Sequence, residues 1–311
     1  MEQKWTKEGI IYKVDGTFHW NKSHAQVPVV DILQDGILRI YYATRDYKGL
    51  SRTSYIETQA HAPNKVTYVH DLPLLELGPV GSFDDSGIMP TSILNIDATT
   101  KYLYYIGWTT RKTVPYSNAI GLAISKDGGR TFKKYASGPI IGVGPKEPFF
   151  TGTCNVIKNG KEYVAYYLSC LGWEETKGKL EPKYDIKIAT SLDAINWQID
   201  GKVAIALEKG EGGIASASVL EYQSKYYMWY SVRGDKEYRT NPSQTYRIGF
   251  AESDDGYIWR RINNTLLPLG KDWDSEMLAY PNVVQHSNRL IMFYNGNGFG
   301  KSGFGYATCK I

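Results

Sequence analysis

Carboxylates recur at one phase of this 311-residue chain. Counting back five residues from Pro90, Ser216 and Pro281 reaches Asp85, Glu211 and Glu276, and Glu147 stands at nearly the same phase between them. At the comparable place nearer the amino terminus the chain offers His24 and Gln26. Clustered carboxylates push one another's pKa values apart, so that one keeps its proton while another stays charged. Glycoside hydrolysis uses that division: one carboxylic acid protonates the leaving oxygen, and a second carboxylate serves as base or nucleophile. Asp85, Glu147 and Glu211 are the candidates for this work. The plainer alternative is that each caps a turn or solvates a loop.

A second set of residues suits binding rather than bond breaking. Arg45, Trp108, Trp173, Arg233 and Asn295 each follow or end an apolar, aromatic run. Indole faces stack on the apolar faces of pyranose rings, and guanidinium forks reach adjacent hydroxyls. With His24, Gln26, Glu276 and Tyr280, these are the expected substrate contacts. Arg45 and Arg233 also read as salt-bridge partners of Asp46 and Asp235, and His24 as an ordinary hydrogen-bonding histidine.

The elements that must position these residues are a repeat. Runs with paired aromatics recur as LRIYYATRD, YLYYIGWT, YVAYYLSC, YYMWYSVRG and LIMFYNGNG. Their markers Tyr41, Tyr104, Tyr166, Trp229 and Phe293 are spaced by 63, 62, 63 and 64 residues. Such a period marks repeated supersecondary units. Each run follows another apolar strand and a tight turn, as at Asn159-Gly160, a pair suited to the positive φ of a hairpin turn. Third strands follow in IGLAISKDGGRTF, IKIATSLDAINW, IGFAESDDGYIW and FGYATCKI, most with an S-x-D turn before a Phe or Trp that opens a fourth. Four antiparallel strands per repeat describe a propeller blade.

The prediction is therefore an all-β, five-bladed propeller in one domain over residues 1–311. Its blades cover about 14–82, 83–145, 146–209, 210–272, and 273–311 joined by 1–13. The first copy lacks the turn signature. The last stops after three strands, and KWTKEGIIYKV supplies the missing fourth, with Trp5 where Phe132, Trp197 and Trp259 stand elsewhere. In this arrangement first-strand starts and second-strand ends share one face, so the candidate residues converge on an axial funnel.

Composition narrows the function classes. Aromatic residues make up 14%, with 25 Tyr and 8 Trp, which suits strands and sugar contacts alike. A net charge of +4 with scattered Lys and Arg gives no footprint for nucleic acid. Cys154, Cys170 and Cys309 have no metal-ligand spacing and read as reduced thiols of a cytoplasmic protein. No apolar run has the length of a signal peptide or a membrane span. The expected partner is a carbohydrate or sugar conjugate. No cofactor and no metal site are expected, and the oligomeric state is left open.

Period, strand pattern and the acids at first-strand starts resemble the five-bladed glycoside hydrolases of families 43, 32 and 62. The resemblance spans essentially the whole chain. It implies a glycosidase with a blade-one Asp base, a supporting Asp in blade two and a Glu acid in blade three. Carried over by position, Asp85 matches the blade-two acid and Glu147 the blade-three acid, with Glu211 as a rival acid. The family also sometimes holds a calcium or sodium ion on the axis. This sequence departs in blade one, where no Asp stands near His24–Pro28. Either His24 substitutes as base, or another pair of acids works, or the chain is a lectin-like propeller that binds sugar without cutting it.

Overall fold

Short apolar runs separated by Gly, Asn and Asp turns leave this chain little choice but antiparallel strands. The computed structural model describes residues 3–262 and 266–311, and almost all regular structure in them is strand. Among these residues no helix is long and apolar enough to cross a membrane.

The strands form repeated four-stranded antiparallel units. The first holds β2 (Ser23–Ile32), β3 (Ile37–Arg45), β4 (Ser51–Gln59) and β5 (Tyr68–Val69), each paired with the next. The second holds β6 (Gly87–Asn95), β7 (Lys101–Thr110), β8 (Tyr116–Ser125) and β9 (Lys133–Lys134). The third holds β10 (Thr151–Asn159), β11 (Glu162–Thr176), β12 (Lys179–Ser191) and β13 (Gln198–Ile205). The fourth holds β14 (Glu211–Tyr222), β15 (Lys225–Gly234), β16 (Arg247–Ser253) and β17 (Arg260–Arg261). The last holds β18 (Ala279–His286), β19 (Arg289–Asn295), β20 (Phe304–Lys310) and, from the other end of the chain, β1 (Trp5–Tyr12). Single parallel bridges, Ser51 to Gly87 and Tyr184 to Gly213, join the first unit to the second and the third to the fourth.

The seams between units explain the aromatic markers. Tyr41, Tyr104 and Tyr166 donate from the second strand of one unit to the carbonyls of Gly129, Ala194 and Gly256 in the S-x-D turn of the next. They meet Phe132, Trp197 and Trp259 at 5.7, 6.3 and 5.5 Å between ring centroids. Trp229 meets Trp5 at 6.1 Å in the same role, although Trp5 comes from the far end of the chain. The turns are built as their chemistry demands: the Asp127 carboxylate accepts from the backbone N–H groups of Arg130 and Thr131, and Asp193 and Asp255 repeat the pattern.

First strands pack against each other in sequence, β2 on β6, β6 on β10, β10 on β14, β14 on β18, and β18 on β2. Polar residues in these otherwise apolar strands satisfy their neighbours' backbone: Ser92 accepts from Val156 N, Asn155 from Val219 N, Ser218 from Val283 N, and Asn282 from Val30 N. At the matching place in β2 stands Val29, which has no acceptor to offer. Each first strand also carries a bulge: in β2 register shifts at Gln26/Val29, in β6 at Pro90/Ser92, in β10 at Thr151/Cys154, in β14 at Ala215/Ser218 and in β18 at Ala279/Asn282. Val27, Ser216 and Tyr280 sit at these bulges with φ of 52, 55 and 56°, a region side-chain-bearing residues occupy only where their surroundings compel it.

Candidate functional site

One face of the ring of first strands opens into a cavity of about 870 Å³. Its floor comes from the first strands and the residues around their bulges: His24 and Gln26 in β2, Met89 in β6 and Tyr280 in β18. Second strands contribute Arg45 and Trp108. The walls are less regular. The turn after β7 supplies Arg111 and Lys112, the tip of the β11–β12 hairpin supplies Lys179 and Glu181, and the long β15–β16 connection supplies Tyr238 and Arg239.

Trp108 keeps its place because Gly87 stands beneath it: a Cβ on Gly87 would lie 1.7 Å from the indole Nε1. Arg45 donates from Nε to Gln26 Oε1 at 3.1 Å, and Gln26 in turn donates to the Phe299 carbonyl at 2.5 Å. Both Nη groups of Arg45 are left without a protein partner among the described residues. Burial, with the charges of Arg45 and Lys301 adding to it, pushes His24 down to about 4. The ring is therefore neutral at pH 7, and its Nδ1 lies 2.8 Å from Ser23 Oγ.

Tyrosines form the opposite wall. Tyr184 and Tyr246 are joined through their hydroxyls, and Arg233 donates from Nε to Tyr184 at 3.0 Å. Gly213 leaves the room that the Tyr184 ring needs, since its Cβ would sit 2.3 Å from Cε2. Burial raises the Tyr116, Tyr246 and Tyr280 hydroxyls far above the ordinary range, so they stay protonated as donors. Among the described residues Glu181 is the single carboxylate in the lining, and its oxygens accept from Arg239 Nε at 3.0 and 3.3 Å.

Of the residues expected from sequence, His24, Gln26, Arg45, Trp108 and Tyr280 are brought together here. Trp173 stands one layer back, packed on Tyr116 and Phe150 at 5.4 and 5.7 Å. Arg233 lies behind Tyr184 and also donates to the Pro182 and Gly234 carbonyls. Fully buried Asn295 holds the β2 bulge, accepting from Val27 N at 2.7 Å and donating to the Ala25 carbonyl at 2.6 Å. Glu276 is exposed and engages its neighbours through its backbone.

None of the three expected catalytic carboxylates lines the cavity. Asp85 caps its own turn, accepting from Gly81 N at 2.8 Å and Ser86 Oγ at 2.7 Å. Burial opposes these bonds, but together with Thr109 and Arg111 they hold its carboxyl below the usual range. Buried Glu147 accepts from Tyr167 at 2.8 Å, from Lys187 at 3.0 Å and from Ser169. Glu211 takes both arms of Arg261, at 2.5 and 2.8 Å.

The repeat of acids differs from the expected one at two places: Asp84 takes the place of Asp85, and Asp274 that of Glu276. Asp84, Glu147, Glu211 and Asp274 share a phase, and Asp84 and Asp274 repeat the Glu147 arrangement. Asp84 binds Tyr105 and Lys134 at 3.2 and 2.6 Å, and Asp274 binds Tyr294 and Lys7 at 2.9 and 2.5 Å. A buried acid, a second-strand tyrosine and a cation fasten the loop ahead of the first strand to its own unit.

Sequence reasoning passed over Glu181, Arg239, Lys179 and the tyrosine wall because their segments exceed the repeat. It ended the second strand of the third unit at Cys170 and began the third at Ile186. β11 and β12 instead run on to Thr176 and back from Lys179. A bulge at Gly172 and a turn with positive φ at Lys177 and Gly178 make the extension continuous. Alternating charged residues in ETKGKLEPK were the available signal.

No known family model matches the chain. Among solved structures, a protein described as a glycoside hydrolase superposes with a TM-score of 0.74 at 18% identity, covering 98% of this chain and 92% of the other. A β-1,2-mannobiose phosphorylase from Listeria innocua, in complex with β-1,2-mannobiose, gives 0.70 at 15% identity, covering 100% and 97%. A thermostable family-43 glycoside hydrolase gives 0.64 at 18%, covering 93% and 88%. At such identities the likeness is one of fold: the all-β, propeller-like architecture of these proteins. Two sequences from Mycobacterium tuberculosis strains, "Uncharacterized protein Rv1502" and "Uncharacterized protein MT1551", are each 34% identical over 316 residues, covering 98% of this chain and 99% of their own. With a third of positions shared along nearly the whole of both chains, this chain belongs to the family of the mycobacterial proteins Rv1502 and MT1551.

Proposed function

We propose that the chain is a single-domain, five-bladed propeller that binds a saccharide in the cavity and transforms its glycosidic bond. The pairing of β1 with β20 and the packing of β18 on β2 support the closed five-bladed reading. The observation that carries the sugar reading is that the indole of Trp108 and the Arg45–Gln26 pair line one cavity. It combines a stacking platform with a fork for hydroxyls, in a fold shared with glycoside hydrolases and a mannobiose phosphorylase. His24 and Tyr280 are the further proposed contacts, and Glu181 is the protein carboxylate proposed to act on the bond. Asp85, Glu147 and Glu211 are assigned to the scaffold.

A non-catalytic, sugar-binding propeller is the second reading, and one observation favours it: among the described residues the lining holds no second carboxylate to complete a hydrolytic pair. Calorimetry and turnover assays over a panel of methyl and aryl glycosides separate the two. Turnover that disappears in Glu181→Gln while binding persists establishes the enzyme. Binding without turnover at high protein concentration establishes the lectin-like module, and failure of every glycoside to bind refutes both.

A further inference from the structure

The charge of the cavity is lopsided. Arg45, Arg111, Lys112, Lys179 and Arg239 face it, with Glu181 as the sole acid of the lining among the described residues. Glu181 is already spent on Arg239. Arg111, Lys112, Lys179 and Arg239 are exposed and half-buried Arg45 stands among them, so the cavity presents a net positive field that a neutral sugar does not offset and an anion does. Arg45, Lys112 and Lys179 are also unoccupied, whereas Arg239 is paired with Glu181 and Arg111 acts on Asp85. Both Nη groups of Arg45 lack a protein partner, and Lys112 and Lys179 form no ion pair among the described residues.

Two further polar groups of the lining have no hydrogen-bond partner. Ser51 Oγ and Asn118 Oδ1 are buried, line the cavity and make no hydrogen bond. Ser51 is only 1% exposed. Such groups in a native fold call for a ligand or water to satisfy them. Arg45, Arg239 and Tyr280 all line this cavity. Two guanidinium groups and a phenol match the oxygens of a phosphoryl group, which takes arginine forks in bidentate fashion.

We infer that the cavity takes a saccharide together with a phosphoryl oxyanion, and that Arg45, Arg239 and Tyr280 hold that oxyanion. The inference rests on the cavity being the sugar site, and it names the class of ligand. The phosphoryl group is either carried on the sugar or free beside it.

The test is calorimetric titration of the full chain with inorganic phosphate, a series of hexose 1-phosphates, and the matching methyl hexosides. Each titration is made at low and high salt, on wild type, Arg45→Gln and the more exposed Arg239→Gln, with thermal unfolding to verify folding. A hexose 1-phosphate binding at least tenfold tighter than its methyl glycoside, weakened tenfold or more by either substitution and by salt, supports a phosphoryl group carried on the sugar. Phosphate binding as tightly as every sugar phosphate, with the same losses, supports a free phosphate at the same place. If no phosphate-bearing probe binds, or if binding ignores both substitutions, the inference is overturned. Methyl hexosides binding in that case would leave the carbohydrate reading intact, whereas their failure beside a responsive phosphate would remove that reading alone.

Discussion

Trp108 is the residue on which the proposed sugar recognition turns. Trp108→Ala is expected to weaken saccharide binding by about tenfold, the scale of a lost aromatic contact, with little change in unfolding temperature. Gly87→Ala should produce the same loss without touching a single proposed contact, since its Cβ would occupy the place of the indole nitrogen. Calorimetry on both variants checks the pair. Glu147 belongs to a different account. Removing its charge leaves Lys187 unpaired in the interior, so Glu147→Gln should cost about 3–5 kcal/mol in urea unfolding. Ligand affinity of the folded fraction should be unchanged.

Asp185, beside the same lysine, carries a pH signature. Burial raises its carboxyl to about 6; Lys187 opposes the rise and Glu147 adds to it. Between its ordinary 3.8 and about 6 the folded chain keeps a proton that the unfolded chain has released, so stability falls as pH rises through that window. Asp185→Asn removes the fall. The variant should exceed wild type by about 3 kcal/mol at pH 7 and by less than about 1 kcal/mol near pH 4, as read from urea midpoints at the two pH values.

At the scale of elements, the aromatic markers were legible in sequence because they repeat for a structural reason. Tyr41, Tyr104 and Tyr166 each bind a turn in the next unit, and a contact made at every seam leaves a periodic trace. The acids left a trace as well, but counting from Pro90 and Pro281 aligned Asp85 and Glu276 with Glu147. The tyrosine hydroxyls show that the repeating partners are Asp84 and Asp274. Periodicity reports what holds the units together, and it says little about a site built from exceptions. The β11–β12 extension is such an exception. It reaches the β15–β16 connection through Lys177–Glu237 and Glu181–Arg239. Replacing 174–181 with a two-residue Asn-Gly turn should leave the fold and its unfolding temperature nearly unchanged, because every residue of the excised segment is exposed or half-buried. Ligand affinity should fall at least tenfold in the same variant.

For the molecule as a whole, the ring of first strands is held by side chains that bind the neighbour's backbone, with one position vacant at Val29. Within the last unit, Trp5 is opposite Cys309 and Tyr12 opposite Phe304. Deleting residues 1–12 would leave β20 with an unpaired edge and Trp229 without its ring partner. Loss of cooperative unfolding and the appearance of aggregates in size-exclusion chromatography are expected, since an open edge recruits other chains. The same pairing has a constructive side. Ends that meet in one sheet can be tied by a short linker and the chain reopened at a hairpin tip such as Asn159-Gly160, where Gly160 has open space around it. Such a circular permutant would make every unit from contiguous sequence except the third, turning the split from the last unit to one that can be chosen at will.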